Sequence, residues 1–357
     1  MKIIHCGDLH LDSKMETNLS PEKSRIRNNE ILRNFGKMVD FARDNGVKII
    51  MIAGDMFDSE RASASTVEYV FDRMCSVPEI DFLYLKGNHD EEENIFSGRS
   101  LPNNLKRFSD SWQFYDYGEL SIGGVQWSGD NYESIYDSLK LDKDKKNIIL
   151  MHGQTSTQPG YELVCLPRLK NKHIDYLALG HIHSYKLEKL DDEGVYAYCG
   201  CFEGRGFDEC GKKGFVLLDT DKDSIKPRFV PFATRYIYDI EVDITGLDTV
   251  SEMLRAIKEA SADISRESLV KFTLTGFYEA QTNKDLAFLS RSLQNEFFHV
   301  KIKDKSRLKV EPQSYENDIS LKGEFIRLVM GSALSQEDKD RIILAGLRAL
   351  QGEEIDL

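Results

Sequence analysis

Five short segments of the chain set carboxylates, an amide and imidazoles beside glycine. They are Gly7-Asp8-Leu9-His10, Gly54-Asp55, Gly87-Asn88-His89-Asp90, His152-Gly153 and Gly180-His181-Ile182-His183. Setting aside His89 and Asp90, they supply two carboxylates, one amide oxygen and four imidazoles. Residues two apart in extended backbone point the same way. The spacings Asp8-x-His10 and His181-x-His183 therefore let each pair face one cluster. Such a set suits two divalent cations bridged by one carboxylate. A mix of oxygen and nitrogen donors without thiolate fits Mn²⁺, Fe²⁺ or Zn²⁺ better than Ca²⁺ or Mg²⁺. Two ions about 3.5–4 Å apart activate a shared water and stabilise an in-line displacement at phosphorus. A lone Asp after Gly is ordinarily a turn residue, and His5, His173 and His299 are read as structural. The remaining five of the eight histidines all fall in these segments, which coincidence does not account for.

Each segment follows an apolar run. Lys2–Cys6, Val47–Ala53, Phe82–Leu85, Asn147–Met151 and Tyr176–Leu179 read as strands covered on both faces. Ligands at strand ends converge on one edge of a sheet, and glycine lets the backbone turn there. A helix is expected from Pro21 to Asp44, with Ile31, Phe35, Met38, Val39 and Ala42 on its buried face, ended by Asn45-Gly46. A second covers Ala64–Cys75. Later strands read as antiparallel and hairpin-like: Leu120–Ile122 with Val125–Ser128, then Val195–Cys199, Phe215–Asp219 and Lys226–Val230. From about Ala233 the pattern becomes β-α-β-α-β. Strands are expected at Tyr236–Ile244, Leu269–Thr275 and His299–Ile302, and helices at Thr249–Ala262 and Lys284–Gln294. Lys301, Lys303, Lys305, Arg307 and Lys309 alternate along the segment that follows. They form either a solvated edge or a phosphate-contacting rim. Residues 312–320 read as a polar linker. Two amphipathic helices follow, Leu321–Leu334 and one opened by a capping box at Ser335–Asp338. They either fold back or dock on another protein's helices.

The chain's 357 residues exceed one ordinary core and imply two or three folding units. No apolar run approaches the roughly 18 residues of a membrane helix. The opening residues read as a core strand rather than a signal peptide, so a cytoplasmic protein is expected. The six cysteines include no C-x-x-C pair and are read as buried residues or free thiols rather than a zinc site. The net charge of −13 argues mildly against wholesale nucleic-acid binding, although bound cations reverse the local sign at clustered acids.

The order G-D-x-H, G-D, G-N-H-D, H and G-H-x-H resembles the calcineurin-like metallophosphoesterases. The resemblance implies an α/β fold: a four-layer α-β-β-α sandwich with a small α+β capping domain and a C-terminal helical hairpin. It implies that Asp8, His10, Asp55 and His183 hold one metal ion. Asp55, Asn88, His152 and His181 hold the second, with Asp55 bridging. His89 becomes the general acid, with Asp90 orienting it. The chain is most similar to the SbcD-type branch, DNA-repair exonucleases that pair with an SMC-like ATPase. That match rests on Ile4–Asp12, on Gly54–Asp58 and on Tyr198–Phe215. It implies Mn²⁺-dependent cutting of DNA by residues 1–232 and a DNA-contacting capping domain at 233–311. Helices in 321–357 would dock on an SbcC-type ATPase, and the phosphoesterase body would form a homodimer. Arg205, Lys301 and Lys303 are the expected phosphate contacts. Cys201 stands where many relatives have serine. The chain has no G-x-x-x-x-G-K-[ST] loop, so ATP hydrolysis would come from a partner. The alternative is a phosphodiesterase or phosphatase acting on nucleotides or other small phosphate esters, for which the length beyond Ala233 has no use.

Overall fold

In a computed structural model the chain is described at all positions except 14, 16–18, 59–61, 91–94, 222, 280–281, 283, 310–317 and 351–357. Most of the expected linker therefore lies outside the described residues. The chain forms two compact units, Met1–Tyr236 and Ile237–Leu357.

The first unit opens with β1 (Lys2–Cys6), α1 (Pro21–Asp44), β2 (Val47–Ala53), α2 (Ala64–Cys75), β3 (Asp81–Leu85) and β4 (Leu105–Arg107). There follow β5 (Gln113–Tyr117), β6 (Leu120–Gly124), α3 (Ser134–Ser138), β7 (Lys146–His152), β8 (Gln154–Ser156) and β9 (Leu163–Cys165). It closes with α4 (Leu166–Leu169), β10 (Tyr176–Gly180), β11 (Lys186–Lys189), β12 (Val195–Tyr198), β13 (Gly214–Thr220) and β14 (Ile225–Pro231). Two six-stranded sheets result, ordered β14-β13-β1-β2-β3-β4 and β11-β12-β10-β7-β6-β5. Both mix parallel and antiparallel pairs.

Alternation along the central strands explains their unbroken apolar runs. Ile4, Ile50, Ile52, Phe82 and Tyr84 pack with Ile31, Phe35, Met38, Val39 and Ala42 of α1. Their neighbours Ile3, Ile49, Met51 and Leu83 pack instead with Ile148, Leu150, Tyr176 and Ala178 of the other sheet. Ile149, Met151, Leu177 and Leu179 join a third core with Tyr136 and Leu169. The apolar side chains of these strands therefore meet an apolar layer on either face. Helix α1 begins where expected because Ser20 Oγ accepts from Lys23 N (3.3 Å) and Pro21 occupies the first turn. The Asn45 side chain donates to Phe41 O (2.8 Å) at its end.

Two expectations fail. Val125–Ser128 is not a strand, and β6 pairs antiparallel with β5 instead. The Asn131 side chain accepts from Ser128 N (3.0 Å) and donates to Gln126 O (2.7 Å), which uses the backbone a ladder would need. Strand β12 is not simply hairpin-like: it runs parallel to β10 and antiparallel to β11. Strand β11, Lys-Leu-Glu-Lys, is an exposed edge with a single apolar residue. Charge protects such an edge and hides it from hydrophobic patterning.

The second unit contains β15 (Ile237–Asp243), α5 (Val250–Ala260), β16 (Leu269–Thr275), β17 (Phe277–Tyr278), α6 (Leu286–Leu293), β18 (His299–Asp304), β19 (Arg307–Leu308), α7 (Leu321–Met330) and α8 (Gln336–Leu350). Strands β15, β16 and β18 form a parallel sheet in that order. Ile326, Ile343 and Leu347 of the two last helices pack with Leu308 and Tyr278. The alternating basic run breaks where β18 ends at Asp304. Among the described residues, no helix is long and apolar enough to cross a membrane.

A buried ion pair ties α1 to the segments after β12 and β14. Arg27 is fully buried, and its guanidinium donates to Glu203 Oε2 (3.0 Å) and Gly204 O (3.1 Å). Glu203 also accepts from Asn34 Nδ2 (2.9 Å) and Thr234 N (2.6 Å). Removing Glu203 takes away the fully buried counter-charge and leaves Arg27 only the more exposed Glu30 (3.0 Å), and breaking a buried pair is costly. Glu203→Ala should cost about 3–5 kcal/mol, read by urea unfolding, and Arg27→Leu added to it should recover part of that loss.

Candidate metal centre

The five glycine-linked segments meet at one edge of the first unit, where β1, β2, β3, β7 and β10 end. The loops after β1 and β2 are stitched together. Asp8 N donates to Gly54 O (3.0 Å), His10 N to Asp55 O (3.0 Å) and Leu11 N to Met56 O (3.1 Å). Asp8, His10, Asp55 and His181 have φ of 48°, 42°, 51° and 93°. The pairs thus converge through a looped backbone, not through the extended spacing expected above. Left-handed residues with a side chain cost roughly 1–2 kcal/mol each and persist only where the surroundings hold them. Glycine makes the approach possible. A Cβ on Gly54 would lie 2.1 Å from His152 Nδ1, and one on Gly180 1.8 Å from Ala53 O.

Asp8, His10 and His183 form one group of donor atoms within 4.8 Å of one another, and Asp8, Asp55 and His152 form another. Asp55 Oδ2 lies 3.6 Å from His10 Nε2 and 3.5 Å from His152 Nε2. Asn88 Oδ1 lies 2.9 Å from His152 Nε2 and 3.2 Å from His181 Nδ1. All seven expected ligand residues therefore join one cluster. His89 stands beside it, its ring centroid 5.1 Å from that of His10. Its backbone N donates to Asp55 Oδ1 (2.9 Å). Asp90 is buried and accepts from Gly87 N (3.0 Å), Phe57 N (3.0 Å) and Met56 N (3.3 Å). It therefore holds the loop that carries Asn88 and His89. Arg205 is turned to Glu209 (2.9 Å). Lys301 and Lys303 are exposed on β18 of the second unit.

The protonation states expose what the cluster is built for. Burial pushes the His152 imidazole down to about 4, so it is neutral at pH 7. Its Nδ1 faces Ala53 O at 2.8 Å. A carbonyl only accepts, so Nδ1 carries the proton and Nε2 presents a lone pair. That lone pair faces the Asn88 amide oxygen and the Asp55 carboxylate. Three acceptors converge with no donor among them, an arrangement a divalent cation fits. A second pair of ring nitrogens lies beside it. His10 and His183 bring their Nε2 atoms to 3.3 Å, a spacing suited to two nitrogens each about 2.1 Å from one ion. Burial and the neighbouring Arg205 push His10 down to about 2. Burial and Asp55 push Asp8 up to about 8, and burial likewise raises Asp55. Bound cations reverse that penalty.

Glu209 is the contributor that motif reading missed. Its Oε1 accepts from His183 Nδ1 at 2.7 Å, and Oε2 accepts from Arg205 N at 2.7 Å. Burial opposes ionisation of Glu209, yet the His183 bond and Arg205 outweigh it and hold its carboxyl low. The bond fixes the tautomer that leaves His183 Nε2 to the cluster. Metal-binding histidines commonly have such a carboxylate behind them, and that was the available signal. Cys201 Sγ is 3.8 Å from Glu209 Oε2. Burial and Glu209 push its thiol pKa up.

Fold and site together define a metal-dependent hydrolase. The chain belongs to the calcineurin-like phosphoesterase family, whose model matches residues 1–185. It is 25% identical over 287 residues to the uncharacterized metallophosphoesterase YhaO of Bacillus subtilis, covering 75% of this chain and 69% of that one. It is 24% identical over 299 residues to the DNA double-strand break repair protein Mre11 of Aeropyrum pernix, covering 76% and 71%. To the Mre11 of Saccharolobus solfataricus it is 26% identical over 246 residues, covering 62% and 61%.

Glu209→Ala should weaken divalent-ion binding about 10–100-fold. Calorimetric titration with Mn²⁺ checks this, with Glu209→Asp recovering part of the affinity.

Proposed function

We propose that the chain is a Mn²⁺-dependent DNA phosphodiesterase, the nuclease subunit of an SbcD-type repair complex. The observation that carries the reading is Asp55, whose carboxylate stands between the His10 and His152 nitrogens. In this reading Asp8, His10, Asp55 and His183 hold one ion, and Asp55, Asn88, His152 and His181 the other. The relatives named as DNA double-strand break repair proteins support DNA as the substrate.

The bound ions supply Lewis-acid charge and activate water at neutral pH. The chain's own groups do the rest. Asn88 offers its amide N–H to the negative charge that develops on the phosphoryl oxygens. His89, on the loop pinned by Asp90 and by Asp55 Oδ1, donates a proton to the leaving oxygen. Asp8 accepts from His181 N (2.9 Å), which keeps the β10 end in register with the β1 end.

The rest of the architecture follows the same proposal. The first unit is read as an α-β-β-α sandwich whose nuclease domain ends near 232. The region 233–311 is the capping domain, and Lys301 and Lys303 meet DNA phosphates, as does Arg205 once substrate competes with Glu209. The helices within 321–357 dock on an SbcC-type ATPase, the body dimerises, and the complex works in the cytoplasm. Fe²⁺ or Zn²⁺ would satisfy the same donors.

End-labelled linear duplex DNA with Mn²⁺ tests the reading. Shortening of the DNA is expected, reduced roughly 10²–10⁴-fold in His89→Ala with metal content unchanged. Turnover of a small chromogenic diester with the DNA left intact would replace it by the small-ester alternative.

A further inference from the structure

Beside Asn88 the first unit holds a cleft of about 120 Å³, lined also by Lys86, Gln126, Trp127, Tyr161 and Glu162. We propose that this cleft receives the nucleobase adjoining the scissile phosphate, an inference that rests on the phosphodiesterase reading above. Asn88 belongs both to the cleft and to the acceptor cluster. A phosphate held at the cluster therefore has one of its ester substituents at the mouth of the cleft.

The lining selects the kind of substituent. The indole N–H of Trp127 donates to His152 O, which fixes that ring against the β7 end. Tyr161 is 55% exposed and presents its ring to an incoming group. Aromatic faces stack bases of any sequence. Gln126 carries an amide with both donors and an acceptor. Lys86 and Glu162 put one positive and one negative charge on the lining, and the Glu162 carboxylate accepts N–H groups from a neutral ring. A flat, uncharged heterocycle with N–H donors satisfies all of these, and a nucleobase is such a group. The loop is built in rather than incidental. Glu162 O accepts from Gln154 N (3.0 Å), and a Cβ on Gly153, next to His152, would lie 2.3 Å from that carbonyl.

Two esters with one leaving group test the proposal: thymidine 5′-(4-nitrophenyl) phosphate and methyl 4-nitrophenyl phosphate, both with Mn²⁺. For the wild-type protein the thymidine ester should show the lower KM. Tyr161→Ala should raise KM for the thymidine ester about tenfold while leaving kcat and all constants for the methyl ester unchanged. Gln126→Ala should act in the same direction. Unchanged methyl-ester kinetics also show that the variants are folded. Equal KM values for the two esters in the wild type, or variants that alter both esters alike or neither, would overturn the cleft assignment and leave the phosphodiesterase reading standing. A wild-type protein that hydrolyses neither ester and also leaves linear duplex DNA intact would overturn both.

Discussion

Acceptor facing acceptor is the constraint on which this structure turns. His152 Nε2, Asn88 Oδ1 and Asp55 Oδ2 crowd together, while the His152 proton is held on the far side of the ring by Ala53 O. Buried polar groups without partners cost free energy, and buried carboxylates cost more. A fold keeps such an arrangement only for a group supplied from outside. Much of the surrounding architecture prevents the cluster from relaxing. The left-handed backbone at Asp8, His10, Asp55 and His181 aims side chains inward, and Asp90 ties its own loop to the loop after β2 through the backbone N–H groups of Gly87, Met56 and Phe57.

The two sheets serve the same end. Strands with apolar residues on both faces are fixed from both sides, so their ends cannot slide. The sheets meet at Ala53, whose carbonyl accepts a hydrogen bond from His152 Nδ1 and leaves no room for a side chain at Gly180. Rigidity at these ends converts a β-rich body into a set of positioned ligands.

Much of this was legible in the sequence, because apolar runs, caps and glycine-linked ligands are local signals. Helix α1 was expected at Pro21–Asp44 and is found there. The hydrophobic face named for it is buried. Three things were not legible. The hairpin partner of β6 depends on Asn131, whose side chain acts several residues from the turn it closes. Strand β11 carries almost no apolar signal. Glu209 acts on a histidine 26 positions earlier through a tertiary contact. The spacing argument for Asp8 and His10 reached the right grouping through the wrong backbone, since both residues lie in left-handed loops.

The central claim is that Asp55 is shared between two ions. Electron paramagnetic resonance on the Mn²⁺-loaded protein, with the ion stoichiometry measured beside it, tests that claim most directly. The account predicts two ions per chain with the signature of a magnetically coupled pair, and loss of the coupling in Asp55→Asn. One ion per chain, or two uncoupled ions indifferent to Asp55→Asn, would contradict it.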